Sequence, residues 1–163
     1  MPLEIERKFL VEKLPNLPIE PESVIHITQA YISESPEIRV RKNESLYPEH
    51  IFTTKVPSGD YRDENEIPIN KQMYEVLANQ STNVLSKNRF KYWLNFSENQ
   101  CAEVDLYLGS LYGLMTVEVQ FGTEEKASAF TPPAWFGAEV THDDRYKNVN
   151  LNKGLWREGE PVA

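Results

Sequence analysis

Glu4, Glu6 and Lys8 stand two residues apart in the run Leu3–Val11. In an extended strand that spacing points their side chains to one face. Ile5, Arg7 and Phe9 point to the other. Two carboxylates beside an ammonium make a poor core, because a buried charge needs partners. They make a good site for a cation together with an anion, and the same spacing recurs along the chain. Arg39 and Arg41 alternate with Ile38 and Val40, and Thr53 and Lys55 with Phe52 and Val56. Glu64 and Glu66 precede Ile67 and Ile69, and Lys87 and Arg89 follow at the same interval. Glu103 and Asp105 alternate with Val104 and Leu106, and Glu118 and Gln120 with Val117, Val119 and Phe121. Gln29 and Tyr31 are the weaker member of the series.

Any single pair reads as the solvated face of an antiparallel sheet. The joint pattern reads otherwise, because whole strands are acidic and whole strands are basic. Enclosed together, these side chains need water, metal ions and a polyanion. Oxygen-only acidic clusters suit hard cations such as Mg²⁺ or Mn²⁺. Arginine forks and lysines suit phosphate oxygens. The chemistry that uses both is phosphoryl transfer from a polyphosphate.

The elements that must position these residues are mostly strands. Alternation predicts them at 3–11, 26–33, 37–42, 50–56, 63–69, 84–96, 102–108 and 114–121, eight in all. Ser33–Pro36 and Pro57–Gly59 have turn chemistry, and residues 12–22, rich in proline and glutamate, read as a loop. Asn70 is a good N-cap for a helix carrying Met73, Tyr74, Val76 and Leu77. Thr123 caps a second, short helix with Glu124 and Glu125 in its first turn, closed by Pro132 and Pro133. One more short helix is expected within 141–155. The expected fold is α+β, mainly β: an eight-stranded antiparallel barrel with a few flanking helices.

The 163 residues suit one domain, ordered through residue 156 with a loose tail at 157–163. No apolar run is long enough for a membrane helix and the start is not a signal peptide, so a cytoplasmic protein is expected. Cys101 stands alone, which excludes an internal disulfide and a thiolate zinc site, and its parity with Glu103 still reads as a small strand-end hydrophobe. His26, His50 and His142 have no metal-ligand spacing. The net charge of −8 argues against duplex nucleic acid on a broad basic face. Walker A and Gly-x-Gly-x-x-Gly sequences are absent.

With these residues in place, the sequence resembles the CYTH family, also called triphosphate tunnel metalloenzymes. Glu4-Ile5-Glu6-Arg7-Lys8 matches the family's ExExK signature near the N-terminus. Arg39/Arg41, Lys55, Glu64/Glu66, Lys87/Arg89, Glu103/Asp105 and Glu118 match in order. Trp135-Phe136-Gly137 and Arg145-Tyr146-Lys147-Asn148 resemble the short bacterial members. The resemblance implies an eight-stranded tunnel holding a linear triphosphate, with one or two divalent metals. It implies substrate binding by Lys8, Arg39, Arg41, Lys55, Lys87 and Arg89. It implies metal binding by Glu4, Glu6, Asp105 and Glu118, with Glu64, Glu66 and Glu103 available for a second ion or for the basic residues. Gln120 departs from the family's usual second glutamate and is at best a weak ligand. Glu4, Glu6, Lys8, Lys87 and Glu118 form the expected catalytic set.

The short bacterial members point to inorganic tripolyphosphate, a small-molecule substrate cleaved to pyrophosphate and phosphate by water that the ion activates. A class IV adenylate cyclase on the same scaffold is an alternative, although no adenine pocket is identifiable. A thiamine triphosphatase would need a stacking residue such as Tyr31, Tyr92 or Trp93. A non-catalytic polyphosphate or nucleotide binder, with Gln120 marking a degraded site, is the alternative outside enzymes. The oligomeric state is left open.

Overall fold

A computed structural model describes residues 3–16, 24–95 and 97–151. Residues 17–22 of the loop assigned to 12–22, and the tail at 157–163, lie outside these residues. The strands are β1 (Leu3–Glu4), β2 (Glu6–Leu10), β3 (Val24–Glu34), β4 (Glu37–Glu44), β5 (Glu49–Ser58), β6 (Tyr61–Pro68), β7 (Asn83–Asn95), β8 (Gln100–Tyr107) and β9 (Met115–Gln120). The helices are α1 (Lys71–Ala78), α2 (Glu124–Ala129) and the single turn α3 (Asn148–Asn150), with 3₁₀ turns at Gly109–Leu111 and Asp144–Tyr146.

All the strands form one antiparallel sheet in the order β1-β6-β5-β4-β3-β7-β8-β9-β2. Among the described residues there are nine strands where eight were expected, because the first is divided at Ile5. Before Ile5 the chain pairs with β6, Glu4 opposite Arg62; after it the chain pairs with β9, Glu6 opposite Gln120. Ile5 still accepts a hydrogen bond from the Phe121 amide at 2.7 Å. The hydrogen-bonded order therefore has two ends, β1 and β2, which are neighbours in the chain.

Beyond Glu4 the edge of β2 that β6 leaves is taken by residues 137–141. Gly137 donates to the Leu10 carbonyl at 2.7 Å, Leu10 to the Ala138 carbonyl at 2.9 Å, and Val140 to the Lys8 carbonyl at 2.8 Å. This strap satisfies backbone groups that would otherwise be orphaned. Gly137 is required there by close approach, since a Cβ would lie 2.8 Å from the Leu10 carbonyl oxygen. Arg7 fastens the strap from the outer face. Its guanidinium meets both Glu139 oxygens, at 3.0 and 2.7 Å, and donates to the Ala127 and Phe130 carbonyls at 3.0 Å each.

Apolar residues line the face opposite the charged pairs, as alternation predicts, and helices cover part of it. Helix α1 lies over β3, β4 and β5, packing Tyr74 and Leu77 on Ala30, Val40 and Phe52. Its Asn70 cap accepts from the Met73 amide at 2.7 Å. A larger cluster joins Ile5, Phe9, Val104, Val117 and Val119 to Ala127, Phe130 and Phe136. Thr123 caps α2 by accepting from the Lys126 amide at 3.2 Å.

A third apolar cluster lies on the charged side of the sheet. Leu10, Leu85, Tyr107 and Leu114 share strand parity with the charged pairs, and Val140, Tyr146 and Leu151 of the C-terminal segment pack among them. Burying each such side chain contributes about 1.5–3 kcal/mol, enough to hold a segment with little regular structure of its own.

Candidate active site

The charged pairs converge on a cavity of about 470 Å³. Its walls carry Glu4, Glu6 and Lys8 from the first strand, Arg39 and Arg41 from β4, Lys55 from β5, and Glu64 and Glu66 from β6. Arg89, Glu103, Glu118 and Gln120 complete the set from β7, β8 and β9. Two expected site residues, Lys87 and Asp105, do not line it; both are fully buried in the wall behind Arg89.

Ion pairs knit the walls together. Lys55 Nζ lies 2.6 Å from Glu4 Oε2 and 3.3 Å from Glu64 Oε2. Lys8 Nζ is 3.4 Å from Glu118 Oε1 and donates to the Tyr146 carbonyl, which ties the C-terminal segment to the site. Asp105 takes the Arg89 fork on both oxygens, at 2.7 and 3.0 Å, and Lys87 at 2.7 Å. Arg89 also reaches Glu103 at 2.9 Å. Asp105 lies opposite Arg89 in the ladder, so alternation assigns its face but does not announce this pairing. Lys87 is 3.5 Å from Asn148 Oδ1, to which Tyr107 donates at 2.6 Å.

Arg41 differs from the other basic residues. Its guanidinium lines the cavity with no hydrogen bond or ion pair to the described protein, and its Nε is a buried donor without an acceptor. Burial, then the neighbouring charges of Arg39 and Arg89, push it down to about 10. An anion in the cavity would satisfy that donor and relieve that repulsion.

The acids divide into two kinds. Burial would raise Glu4, but Lys55 and Arg62 outweigh it and hold its carboxyl far below the usual range. Asp105 is held low in the same way by Arg89 and Lys87, and Glu118 sits at about 2, where Lys8 offsets burial. Glu6 is raised to about 8 by burial and then by the charges of Glu118 and Glu4. Glu64 is raised to about 7 by burial and its hydrogen bond to Glu4. Gln120, opposite Glu6 in the ladder, donates to Glu6 Oε2 at 2.6 Å. Burial draws Lys87 down to about 7 against the pull of Asp105.

Among the described residues no three carboxylate, imidazole or thiolate groups stand in a ready metal-binding cluster. The donor set nevertheless fits a hard divalent cation, since it is all oxygen. The charges of Glu118 and Glu4 help to push Glu6 up, and a bound cation would favour its ionised form.

Several cavity residues were not singled out from the sequence. Glu37 and Arg62 line it, and both share the parity of pairs that were noticed: Glu37 with Arg39 and Arg41, Arg62 with Glu64 and Glu66. Asp60, Tyr61 and a C-terminal group that includes His142, Asp143 and Lys147 also contribute. No periodicity marks that last group, because it sits on a strap and two turns.

No protein-family model matches the sequence. The chain is 38% identical over 151 residues to the inorganic triphosphatase of Nitrosomonas europaea, covering 91% of this chain and 95% of that protein. It is 31% identical over 160 residues to the inorganic triphosphatase of Acetivibrio thermocellus, covering 94% and 96%. The crystal structure of the inorganic triphosphatase NE1496 superposes with a TM-score of 0.65 at 35% identity, over 93% of this chain and 95% of that one. The crystal structure of a candidate adenylate cyclase from Bacillus halodurans shares the fold at 19% identity, with a TM-score of 0.60 over 78% and 84% of the two chains. The ExExK strand, the charged cavity and these relatives agree: the chain belongs to the CYTH, or triphosphate tunnel metalloenzyme, family, with the inorganic triphosphatases.

Proposed function

We propose that this protein hydrolyses inorganic tripolyphosphate to pyrophosphate and phosphate inside a charged tunnel, with Mg²⁺ or Mn²⁺ as cofactor. What supports a tunnel is that the two ends of the sheet, β1 and β2, are neighbours in the chain on either side of Ile5, so that the divided first strand would act as one of eight staves. The observation that carries the reading is Arg41, a cavity-lining guanidinium with no hydrogen bond or ion pair among the described residues, beside Arg39, Arg89, Lys55 and Lys8. Such a set suits a chain of phosphates better than a single carboxylate or a neutral ligand.

In this reading Lys8, Arg39, Arg41, Lys55 and Arg89 bind the phosphate oxygens and offset their charge. Asp105 stands behind Arg89 and fixes its fork, and Lys87 pairs with Asp105. Glu4, Glu6, Glu64 and Glu118 hold the cation, Gln120 offers a neutral oxygen or steadies Glu6, and Glu66 and Glu103 balance the outer arginines. When bound, the cation neutralises phosphate charge and lowers the pKa of the attacking water. Lys87, drawn down to about 7 by burial, is paired with Asp105 at 2.7 Å and helps to keep that carboxylate ionised. The buried arginines stay charged throughout, so the field on the leaving pyrophosphate is present before the reaction begins. The substrate is a small molecule, and the expected setting is the cytoplasm; among the described residues no helix is long and apolar enough to cross a membrane.

The test is phosphate release from tripolyphosphate, ATP and thiamine triphosphate, each with Mg²⁺, Mn²⁺ or EDTA. The expected result is a metal-dependent rate that favours tripolyphosphate and is lost in Glu4→Ala. Cyclic AMP from ATP, or tight binding without turnover, would overturn it.

A further inference from the structure

Glu4 spends both oxygens on protein cations. Lys55 holds Oε2 at 2.6 Å, and Arg62 Nη2 holds Oε1 at 2.8 Å. The two partners differ in freedom: the Lys55 side chain is 9% exposed, that of Arg62 30%. Arg62 has a second anchor, since Nη1 lies 3.2 Å from Glu37 Oε1. The other Glu37 oxygen lies 3.3 Å from Arg39 Nη1. Glu37 is itself buried, and thus stands as a post between the buried Arg39 and the more exposed Arg62.

We propose that Arg62 is a resident counter-ion of Glu4: it neutralises that carboxylate while no divalent cation is bound, and moves to a terminal phosphate oxygen when a cation takes Glu4. The inference rests on the triphosphatase reading above. The charge balance requires the exchange. A dication on Glu4 would face the Arg62 guanidinium across one carboxylate, and like charges that close repel. Triphosphate supplies the negative charge that receives the displaced guanidinium. The Glu37 contact lets Arg62 pivot without losing its second partner. Cation and substrate then favour the same Arg62 position, so each strengthens binding of the other by the same factor. In the cation-free site Arg62 pairs the Glu4 oxygen that Lys55 does not hold, so neither oxygen of this buried carboxylate lacks a partner.

The experiment titrates Mn²⁺ alone, by calorimetry, into the full chain as wild type, Arg62→Ala, Arg62→Gln and Arg62→Lys, with thermal melting of each variant in EDTA as the folding control. Removing the competitor tightens Mn²⁺ binding about tenfold in Arg62→Ala and Arg62→Gln, the scale of one charged hydrogen bond. Arg62→Lys stays near wild type. At saturating Mn²⁺ the same two neutral variants raise KM for tripolyphosphate about tenfold, with a smaller change in kcat. Folded neutral variants that bind Mn²⁺ no more tightly than wild type would overturn the proposal and leave the triphosphatase reading standing. A wild-type protein that binds neither Mn²⁺ nor tripolyphosphate would overturn the triphosphatase reading, and this one with it.

Discussion

Arg41→Met should make the substrate-free protein more stable and nearly blind to its substrate. The guanidinium is held at about 10, below its ordinary value of 12.5, by burial and by Arg39 and Arg89. A depressed cation means that the folded state disfavours the charge, and the penalty is fully present at any pH below about 10. That depression corresponds to roughly 3 kcal/mol at face value. Solvent in the cavity screens part of it, and imperfect packing of the thioether costs some more, leaving a net gain of about 1 kcal/mol. For a chain of this size the gain is about 2–4 °C in Tm. Arg41 has no described protein hydrogen bond to lose, which is why its removal should not carry the usual cost of an orphaned partner. Binding should respond in the opposite direction. A charged hydrogen bond to phosphate in an enclosed site contributes about 1.5–3 kcal/mol, so tripolyphosphate affinity should fall by about 100-fold. The assay is differential scanning calorimetry in EDTA, with and without tripolyphosphate, so that the ligand is bound and not consumed. Wild type should show a ligand-induced rise in Tm and Arg41→Met almost none, from a higher starting point. A variant that melts well below wild type, or that keeps the full ligand-induced rise, refutes the reasoning.

Three other perturbations test separate parts of the structure. Glu6 and Glu64 have folded values of about 8 and 7 against an ordinary 4.5, so the stability they contribute is complete below pH 4.5 and is lost as pH rises through 7 and 8. Glu4, Asp105 and Glu118 are depressed and lose their contribution as pH falls below about 4. Thermal melts in EDTA should therefore peak near pH 5, and a flat profile from pH 5 to 8.5 would contradict the carboxylate arrangement. Gln120→Glu places a further charge beside Glu6; it should lower Tm in EDTA by a few degrees and raise Mn²⁺ affinity about tenfold by calorimetry, from about 1.4 kcal/mol of added attraction. Gly137→Ala drives a Cβ to 2.8 Å from the Leu10 carbonyl oxygen, which is backbone and cannot step aside. It should cost about 1–3 kcal/mol in urea unfolding, whereas Gly59→Ala, with open space around it, should cost only the strain of its positive φ.

Much of the architecture was legible because charged and apolar residues alternate so strictly. A period of two assigns a face to Arg39, Arg41, Glu64, Lys87 and Glu118 without any knowledge of their neighbours. Asn70 and Thr123 announced α1 and α2 because a cap has a local chemistry. Ladder register is not local. Asp105 reads from the sequence as a metal ligand, and its place opposite Arg89, with both oxygens on that guanidinium, is a pairing that alternation does not announce. The division at Ile5 was hidden for the same reason: nothing in Glu4-Ile5-Glu6 says that its two halves pair with different strands. Arg62 and Glu37 were within reach, since each extends a noticed pair by one more step of two. The strap at 137–141 was not, because its backbone follows β2 and its own sequence has no period.

The placement of the first strand between β6, β9 and the strap also dictates when the site can exist. The strand that carries Glu4 and Glu6 is made before its backbone partners, which lie in β6, β9 and residues 137–141. During synthesis this strand must wait, extended and charged, while more than a hundred later residues are made. Contacts of such long sequence separation are the slow ones to form. The cavity should therefore be absent from every nascent chain that ends before the strap, and catalytic competence should arrive in one late step. A partly made copy would bring its carboxylates and arginines into the cell without assembling a site that can bind polyphosphate.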